Sequence, residues 1–204
     1  AAHRSAFGRH LVDQPLMQNV LADLAVESEA ATAAMMRLAR AYDGGDERER
    51  HFARLATAVI KYWVCKRTPM HVAEALECLG GNGYVEESMM PRLYREAPLN
   101  SIWEGSGNVI CLDVLRVMAR EPESVEAFFD EVGRAGGDER RLDVFVESLR
   151  QDLGRSEAIE ARARRLVERM AVALDGDRGL AFGTLPAGLD FVRIIERARP
   201  GLSR

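Results

Sequence analysis

The sequence predicts an all-α protein, an antiparallel helical bundle with a helical C-terminal extension. Apolar residues recur at helical spacing over long stretches, glycines end these stretches, and no alternating strand pattern of any length is present. Long helices joined by short links favour a bundle. With 204 residues, the chain can form one domain with a real core, or one domain plus an extension.

The first helix is predicted to begin at Pro15, because proline suits the first helical position, and to stop at Asp43-Gly44-Gly45. After a polar bridge at 46–50, the second helix is predicted from His51 to Leu79. Pro69 lies inside it, and its missing N–H should kink the helix or leave a gap in its hydrogen bonds.

The later helices are predicted to be shorter. A short segment precedes the turn at 103–107, where a third helix begins. Past Arg120 the composition shifts, so we divide the chain into a helical-bundle domain at 1–120 and a helical extension at 121–204. The remaining predicted pieces lie at about 88–94, 123–134, 139–152, 155–174 and 191–199, with a loop at about 175–190.

Composition excludes several classes of protein. The net charge of -4 argues against a protein that coats nucleic acid broadly. No apolar run is long enough for a membrane span, and the N-terminus lacks the apolar core of a signal peptide. Three separated cysteines without a CxxC pair are interpreted as buried thiols, and the four histidines show no metal spacing. We therefore expect a cytoplasmic protein.

Two glycine-rich turns stand about twenty residues apart, Gly80-Gly81-Asn82-Gly83 and Trp103-Glu104-Gly105-Ser106-Gly107. Glu104 follows apolar Ile102-Trp103 and precedes a glycine, which lets a ligand approach the backbone closely. Such a carboxylate can act as a general base if desolvation raises its pKa toward the working pH. On spacing alone, it can equally be a helix cap or a surface acid.

The stretch from Ala75 to Met118 resembles the signature of FAD-dependent acyl-CoA dehydrogenases, and Trp-Glu-Gly-Ser-Gly-Asn followed by CLDVLRV resembles their AidB-type branch. The resemblance implies the family's C-terminal helical domain over residues 1–120 and an AidB-type extension beyond. It implies that Glu104 removes the α-proton of an acyl-CoA substrate while the hydride goes to FAD, although some members carry the base elsewhere. It also implies a homo-oligomer.

The resemblance further implies cofactor contacts. Arg4 and Phe7-Gly8 resemble the family's Arg-x-x-Phe-Gly element, which reaches the FAD pyrophosphate of a neighbouring subunit. Gln14 stands one position before the family's glutamine, and Glu77 replaces another glutamine. Ser106 and Asn108 match polar FAD contacts, with helix capping as their other role. The full implied set is Arg4, Phe7, Gln14, Glu77, Gly81, Ile102, Ser106 and Asn108, and Arg95 is interpreted as a structural ion-pair residue.

A second function stays open, that of a module which binds DNA or mediates oligomerisation without catalysis. Four arginines cluster on one predicted helix, Arg162, Arg164, Arg165 and Arg169. They either meet phosphates or form a solvated face with the interleaved glutamates. The resemblance favours duplex DNA, since AidB-type proteins are described as binding it through this region. It also places two further domains before Ala1, so we expect part of a longer protein, inactive alone and prone to self-association.

Overall fold

The computed structural model describes residues 1–134, 140–175 and 188–198. The all-α prediction is confirmed, since helices make up most of the described chain. The α-helices are α1 (Pro15–Gly44), α2 (Glu47–Leu79), α3 (Gly81–Tyr84), α4 (Met90–Glu96), α5 (Gly107–Arg120), α6 (Pro122–Gly133), α7 (Arg140–Leu153), α8 (Ile159–Asp175) and α9 (Phe191–Arg197). Short 3-10 helices cover Leu11–Asp13 and Ala97–Ser101.

The prediction missed one small β-hairpin near the N-terminus. Strand β1 (Ser5–Ala6) pairs antiparallel with β2 (Arg9–His10). The turn between them is Phe7-Gly8, both with positive φ (53° and 79°), as a two-residue hairpin turn of matching twist requires. Two residues per strand are too few to give an alternating pattern.

The predicted polar bridge at 46–50 is wrong, since α2 already begins at Glu47. The reason is local: the Asp46 carboxylate accepts a hydrogen bond of 2.8 Å from the backbone N–H of Glu49. An aspartate at this position satisfies a helix-start donor, and the acidic residues Glu47 and Glu49 suit the positive end of the helix dipole. Pro69 lies inside α2, which continues through it to Leu79.

The chain divides into two compact units. The first contains Ala1–Ala30, Arg67–Pro98 and the described part of Arg178–Arg204, and the second contains Ala31–Lys66 and the described part of Leu99–Asp177. A boundary at residue 120 stays a prediction. The predicted break at Gly136-Gly137 and most of the predicted loop at 175–190 lie outside the described residues.

The second unit holds the main hydrophobic core. There α5 packs against α6 and α8, and α7 packs against α8. The largest fully buried side chains of this core are Phe52, Leu55, Phe128, Leu149 and Met170. The thiol of Cys111 is buried within the same core, and this burial raises its pKa to about 11. It is therefore a neutral packing group. The prediction of buried thiols holds for Cys78 and Cys111, whereas Cys65 is only half-buried.

A half-buried arginine joins three helices of the second unit. The Arg37 guanidinium donates hydrogen bonds to Glu49 (2.7 and 3.0 Å) and to Glu131 (2.6 and 2.8 Å). Its Cζ lies 4.2 Å from the centroid of the Phe52 ring. The hydrogen bond from Arg37 is the largest influence on Glu131 and lowers the pKa of that carboxyl. Charge-assisted bonds of this kind stabilise the contact between α1, α2 and α6.

This cluster predicts loss of stability in acid. Because the pKa of Glu131 is lowered on folding, its contribution is present above its unfolded pKa of about 4.3 and is lost as the pH falls through the folded value. Urea unfolding should therefore show a lower midpoint at about pH 3 than at about pH 6. Arg37→Met should flatten this part of the dependence. Arg48→Met, which removes only the exposed pair with Asp130, should retain it.

Candidate functional site

Glu104 lies in the loop between the 3-10 helix Ala97–Ser101 and α5. Its backbone is left-handed, with φ 58°, and the following Gly105 has φ 116°. Positive φ is uncommon for a residue with a Cβ and is found disproportionately at functional sites. The Glu104 side chain lines a cleft of about 390 Å3 together with residues of α1, α2 and α5.

The desolvation expected around Glu104 is not supplied by the described residues. The Glu104 side chain is exposed. Its apolar neighbours Ile102 and Trp103 are themselves 62% and 55% exposed. Desolvation of this carboxylate would therefore require a cover from substrate, cofactor or other parts of a larger protein.

Charged side chains of α2 and α5 also line this cleft. Asp113 on α5 accepts hydrogen bonds from Arg54 (3.1 Å) and from Arg116 (3.0 Å). The hydrogen bond with Asp113 is the largest influence on Arg54 and raises the pKa of its guanidinium. The Tyr42 and Thr57 hydroxyls are hydrogen-bonded to each other at 2.9 Å. The lining thus combines charged and hydroxyl groups with the apolar side chains of Ala58, Val109 and Ile110.

The start of α5 carries the two polar residues predicted after Glu104. Ser106 occupies the N-cap position, but its side chain makes no capping hydrogen bond, so the predicted capping role is not seen. Asn108 is exposed, and its Oδ1 accepts a hydrogen bond of 2.8 Å from Arg164 on α8. The helix N-terminus, with Lys66 and Arg164 beside Gly107, makes a positive environment that suits an anion.

Apart from Ile102, which lies beside Glu104 in the second unit, the other predicted cofactor residues lie in the first unit. Arg4 donates a hydrogen bond of 3.1 Å from Nη1 to the carbonyl of Leu79, at the end of α2. Phe7 is fully exposed at the hairpin turn. The Gln14 amide donates to the carbonyl of Ala6 at 2.9 Å, which ties the hairpin to the start of α1. A Cβ added at Gly81 would meet no atom within 4 Å, so this face of the turn is open.

Glu77 lines a second cleft, of about 770 Å3, with Tyr84, Val85, Pro91 and Tyr94. Arg95 lies at its edge and forms an ion pair of 2.7 Å with Glu86. The interpretation of Arg95 as an ion-pair residue agrees with this geometry. The adjacent Glu96 does not pair with Arg95 but with Arg92, at 3.4 Å.

The four arginines of the predicted DNA-binding cluster do not share one environment. Arg162 donates to the carbonyls of residues 152, 155 and 157, and so holds the connection between α7 and α8. Arg169 bonds the Asp152 carboxylate and the Ser148 hydroxyl. Arg164 is engaged with Asn108, and Arg165 is exposed. Most of these guanidiniums thus have intramolecular roles, and DNA binding stays a prediction.

Sequence reasoning missed Lys61. Its ammonium reaches two carbonyl oxygens of the loop that carries Glu104 and one at the end of the preceding 3-10 helix. The one available signal was compositional: lysine occurs only at positions 61 and 66, while arginine supplies the other basic side chains. No motif marks an isolated lysine in the middle of a helix.

Residues 1–134, 140–175 and 188–198 contain neither a candidate metal site nor a candidate membrane span. No group of three or more His, Cys, Asp or Glu side chains in these ranges could hold a metal ion. None of the helices in them is long and apolar enough to cross a membrane.

Comparison with known proteins gives these features a context. The chain is 40% identical to AidB of Escherichia coli (strain K12), whose name places it among acyl-CoA dehydrogenases, over 99% of this chain and 37% of that protein. It is 32% identical to acyl-CoA dehydrogenase family member 11 of Caenorhabditis elegans, over 84% of this chain and 28% of that protein. The solved structure of Caenorhabditis elegans ACDH-11 in complex with C11-CoA superimposes with a TM-score of 0.72 at 27% identity, over 86% of this chain and 34% of that one.

The chain thus spans about a third of the length of these relatives. Its similarity to AidB continues past residue 119 through the predicted extension. The family model described as acyl-CoA dehydrogenase, C-terminal domain, matches residues 1–119. The chain therefore belongs to the acyl-CoA dehydrogenase family and carries the C-terminal domain of that family in its first 119 residues.

Proposed function

We propose that this chain is the C-terminal part of an FAD-dependent oxidoreductase that dehydrogenates an acyl-CoA, with Glu104 as the base that removes the α-proton. The observation that carries the proposal is Glu104 itself, held in a left-handed turn at the edge of a cleft in a member of this family. A carboxylate so placed can accept a proton from a thioester that enters the cleft. FAD, when bound, would accept the hydride from the neighbouring carbon.

The residues present fit a flavin dinucleotide in two separate places. In the second unit, the start of α5 offers Ser106, with its hydroxyl free of a capping bond, and Asn108 beside Arg164. In the first unit, Arg4 lies over Gly80, and the open face of Gly81 allows close approach. Guanidinium groups and helix N-termini both suit phosphate oxygens. We assign cofactor contacts to both sets.

The cleft lined by Glu77 suits the adenosine portion of FAD. Its tyrosine, valine and proline side chains offer flat apolar surface, and a carboxylate accepts hydrogen bonds from ribose hydroxyls. Phe7 is fully exposed, and its backbone has an unfavourable positive φ. An aromatic ring in this position is expected to be covered by a binding partner. We assign it a contact with the FAD of a second copy of the protein, in keeping with a homo-oligomer.

The test is the visible spectrum and the FAD content of the purified 204-residue chain, before and after adding FAD and removing the excess. We expect bound flavin. Bleaching of this flavin when an acyl-CoA is added without oxygen would overturn the expectation that the chain is inactive alone. Ser106→Ala should weaken FAD binding without lowering the melting temperature, because the hydroxyl caps nothing. A chain that retains no flavin under any condition would contradict cofactor binding by these residues alone.

A further inference from the structure

Lys61 holds the loop that carries Glu104 from the neighbouring helix α2. Its Nζ donates to the carbonyl oxygens of Asn100 (2.8 Å), Trp103 (2.9 Å) and Gly105 (3.5 Å). A lysine ammonium has three N–H donors, and each of the three has an acceptor in this loop or in the 3-10 helix before it. Two of the acceptors belong to the residues directly before and after Glu104.

The loop needs such support because its backbone is unfavourable. A non-glycine residue held at positive φ is strained and persists only where the surroundings over-determine it. Hydrogen bonds from a charged donor are stronger than those between neutral groups. Lys61 therefore offsets the cost of the left-handed conformation at Glu104. A neutral side chain of the same length would leave the three carbonyls without this donor.

Lys61 and Glu104 also share one electrostatic environment. Both line the cleft of about 390 Å3. Both act on the half-buried thiol of Cys65, whose pKa is raised mainly by burial, lowered by Lys61 and raised by Glu104. A single cation thus fixes the backbone on both sides of the carboxylate and faces the same space.

From this geometry we propose that Lys61 is a positioning residue for Glu104, fixing the turn from which the carboxylate meets the substrate. The inference rests on the proposed role of Glu104 as the base. Lys61 takes no proton in the reaction and touches no reacting atom. It affects the rate of proton removal by fixing the position of the Glu104 carboxylate. An error of about 1 Å in the position of a reacting group can lower a rate by about 100-fold.

The first test needs no cofactor: amide hydrogen exchange of residues 99–106, by NMR, in the parent chain and in Lys61→Met, Lys61→Arg and Arg48→Met. Lys61→Met should raise exchange in this loop by about tenfold or more, while the rest of α2 stays protected. Lys61→Arg should fall between, because a planar guanidinium cannot converge on the three carbonyls equally. Arg48→Met removes one exposed ion pair on the same helix and should leave the loop unchanged. Parental exchange in Lys61→Met would overturn the proposal.

The second test uses the flavin-loaded protein with an acyl-CoA. Lys61→Met should lower the maximal rate of flavin reduction by about 100-fold with little change in the acyl-CoA concentration at half-maximal rate. An unchanged rate despite a loosened loop would also overturn the proposal. If the parent chain reduces no flavin, as expected of a chain that is inactive alone, the exchange data decide whether Lys61 holds the turn of Glu104.

Discussion

Glu104→Gln should lower the rate of flavin reduction by acyl-CoA by about 100-fold to 10000-fold, the range that a positioned general base contributes. Glutamine keeps the size of the side chain but cannot accept the α-proton. The measurement is the single-turnover bleaching of bound flavin after rapid mixing with substrate. The affinity for acyl-CoA should change far less than the rate, because the lost interaction belongs to the transition state.

Two controls separate this effect from damage to the fold. The Glu104 side chain is exposed, so the urea midpoint of Glu104→Gln should match that of the parent. Glu47→Gln changes another exposed carboxylate, 82% exposed at the start of α2, and should leave the rate unchanged. A parental rate in Glu104→Gln would mean that the base lies elsewhere, as in the family members whose base has moved.

Arg67→Met should destabilise the first unit by about 3–5 kcal/mol, because it leaves a buried carboxylate without its partner. Arg67 on α2 and Glu27 on α1 form a two-fold hydrogen-bonded pair, with distances of 3.1 and 2.7 Å. Their side chains are only 8% and 10% exposed. Urea unfolding at neutral pH measures the loss, and the midpoint should shift far more than for Arg48→Met.

The paired variant Glu27→Met with Arg67→Met tests the cause. If the loss comes from the unpaired charge, removing both groups should restore much of the stability, since apolar replacements of buried ion pairs are often neutral. A double variant as unstable as Arg67→Met alone would point instead to other contacts of the arginine. The imidazole of His71 gives a second readout, because burial lowers its pKa while Glu27 raises it and Arg67 lowers it. Without Arg67, the pKa of His71 should rise.

The presence of the long helices could be predicted from the sequence, because their apolar residues recur at helical spacing over many turns. The predicted end of α1 at the glycine pair and the end of α2 at Leu79 are confirmed. The helix ends that depend on a single side-chain contact could not be predicted. Helix α8 begins at Ile159 rather than at 155, because Ala158 has positive φ (48°) and Arg162 bonds the carbonyls of the preceding turn.

The candidate site divides in the same way. Glu104 stands in a local motif, so a short stretch of sequence was enough to select it. Lys61 acts across 42 positions to the Trp103 carbonyl, and only the packing of α2 against the loop brings the two together. The exposure of Ile102 and Trp103 was equally hidden, since apolar composition does not say which way a side chain points.

The hydrogen bond from Arg4 to the last carbonyl of α2 constrains how this protein can vary. Gly80 has φ 60°, and the Arg4 guanidinium occupies the space where a Cβ would stand. Any side chain at position 80 would therefore meet two independent barriers, one conformational and one steric. Losing Arg4 removes only the steric barrier. In a saturation library, position 80 should accept almost nothing in either background, whereas position 4 should tolerate many residues, so that the glycine outlasts the arginine as the chain diverges.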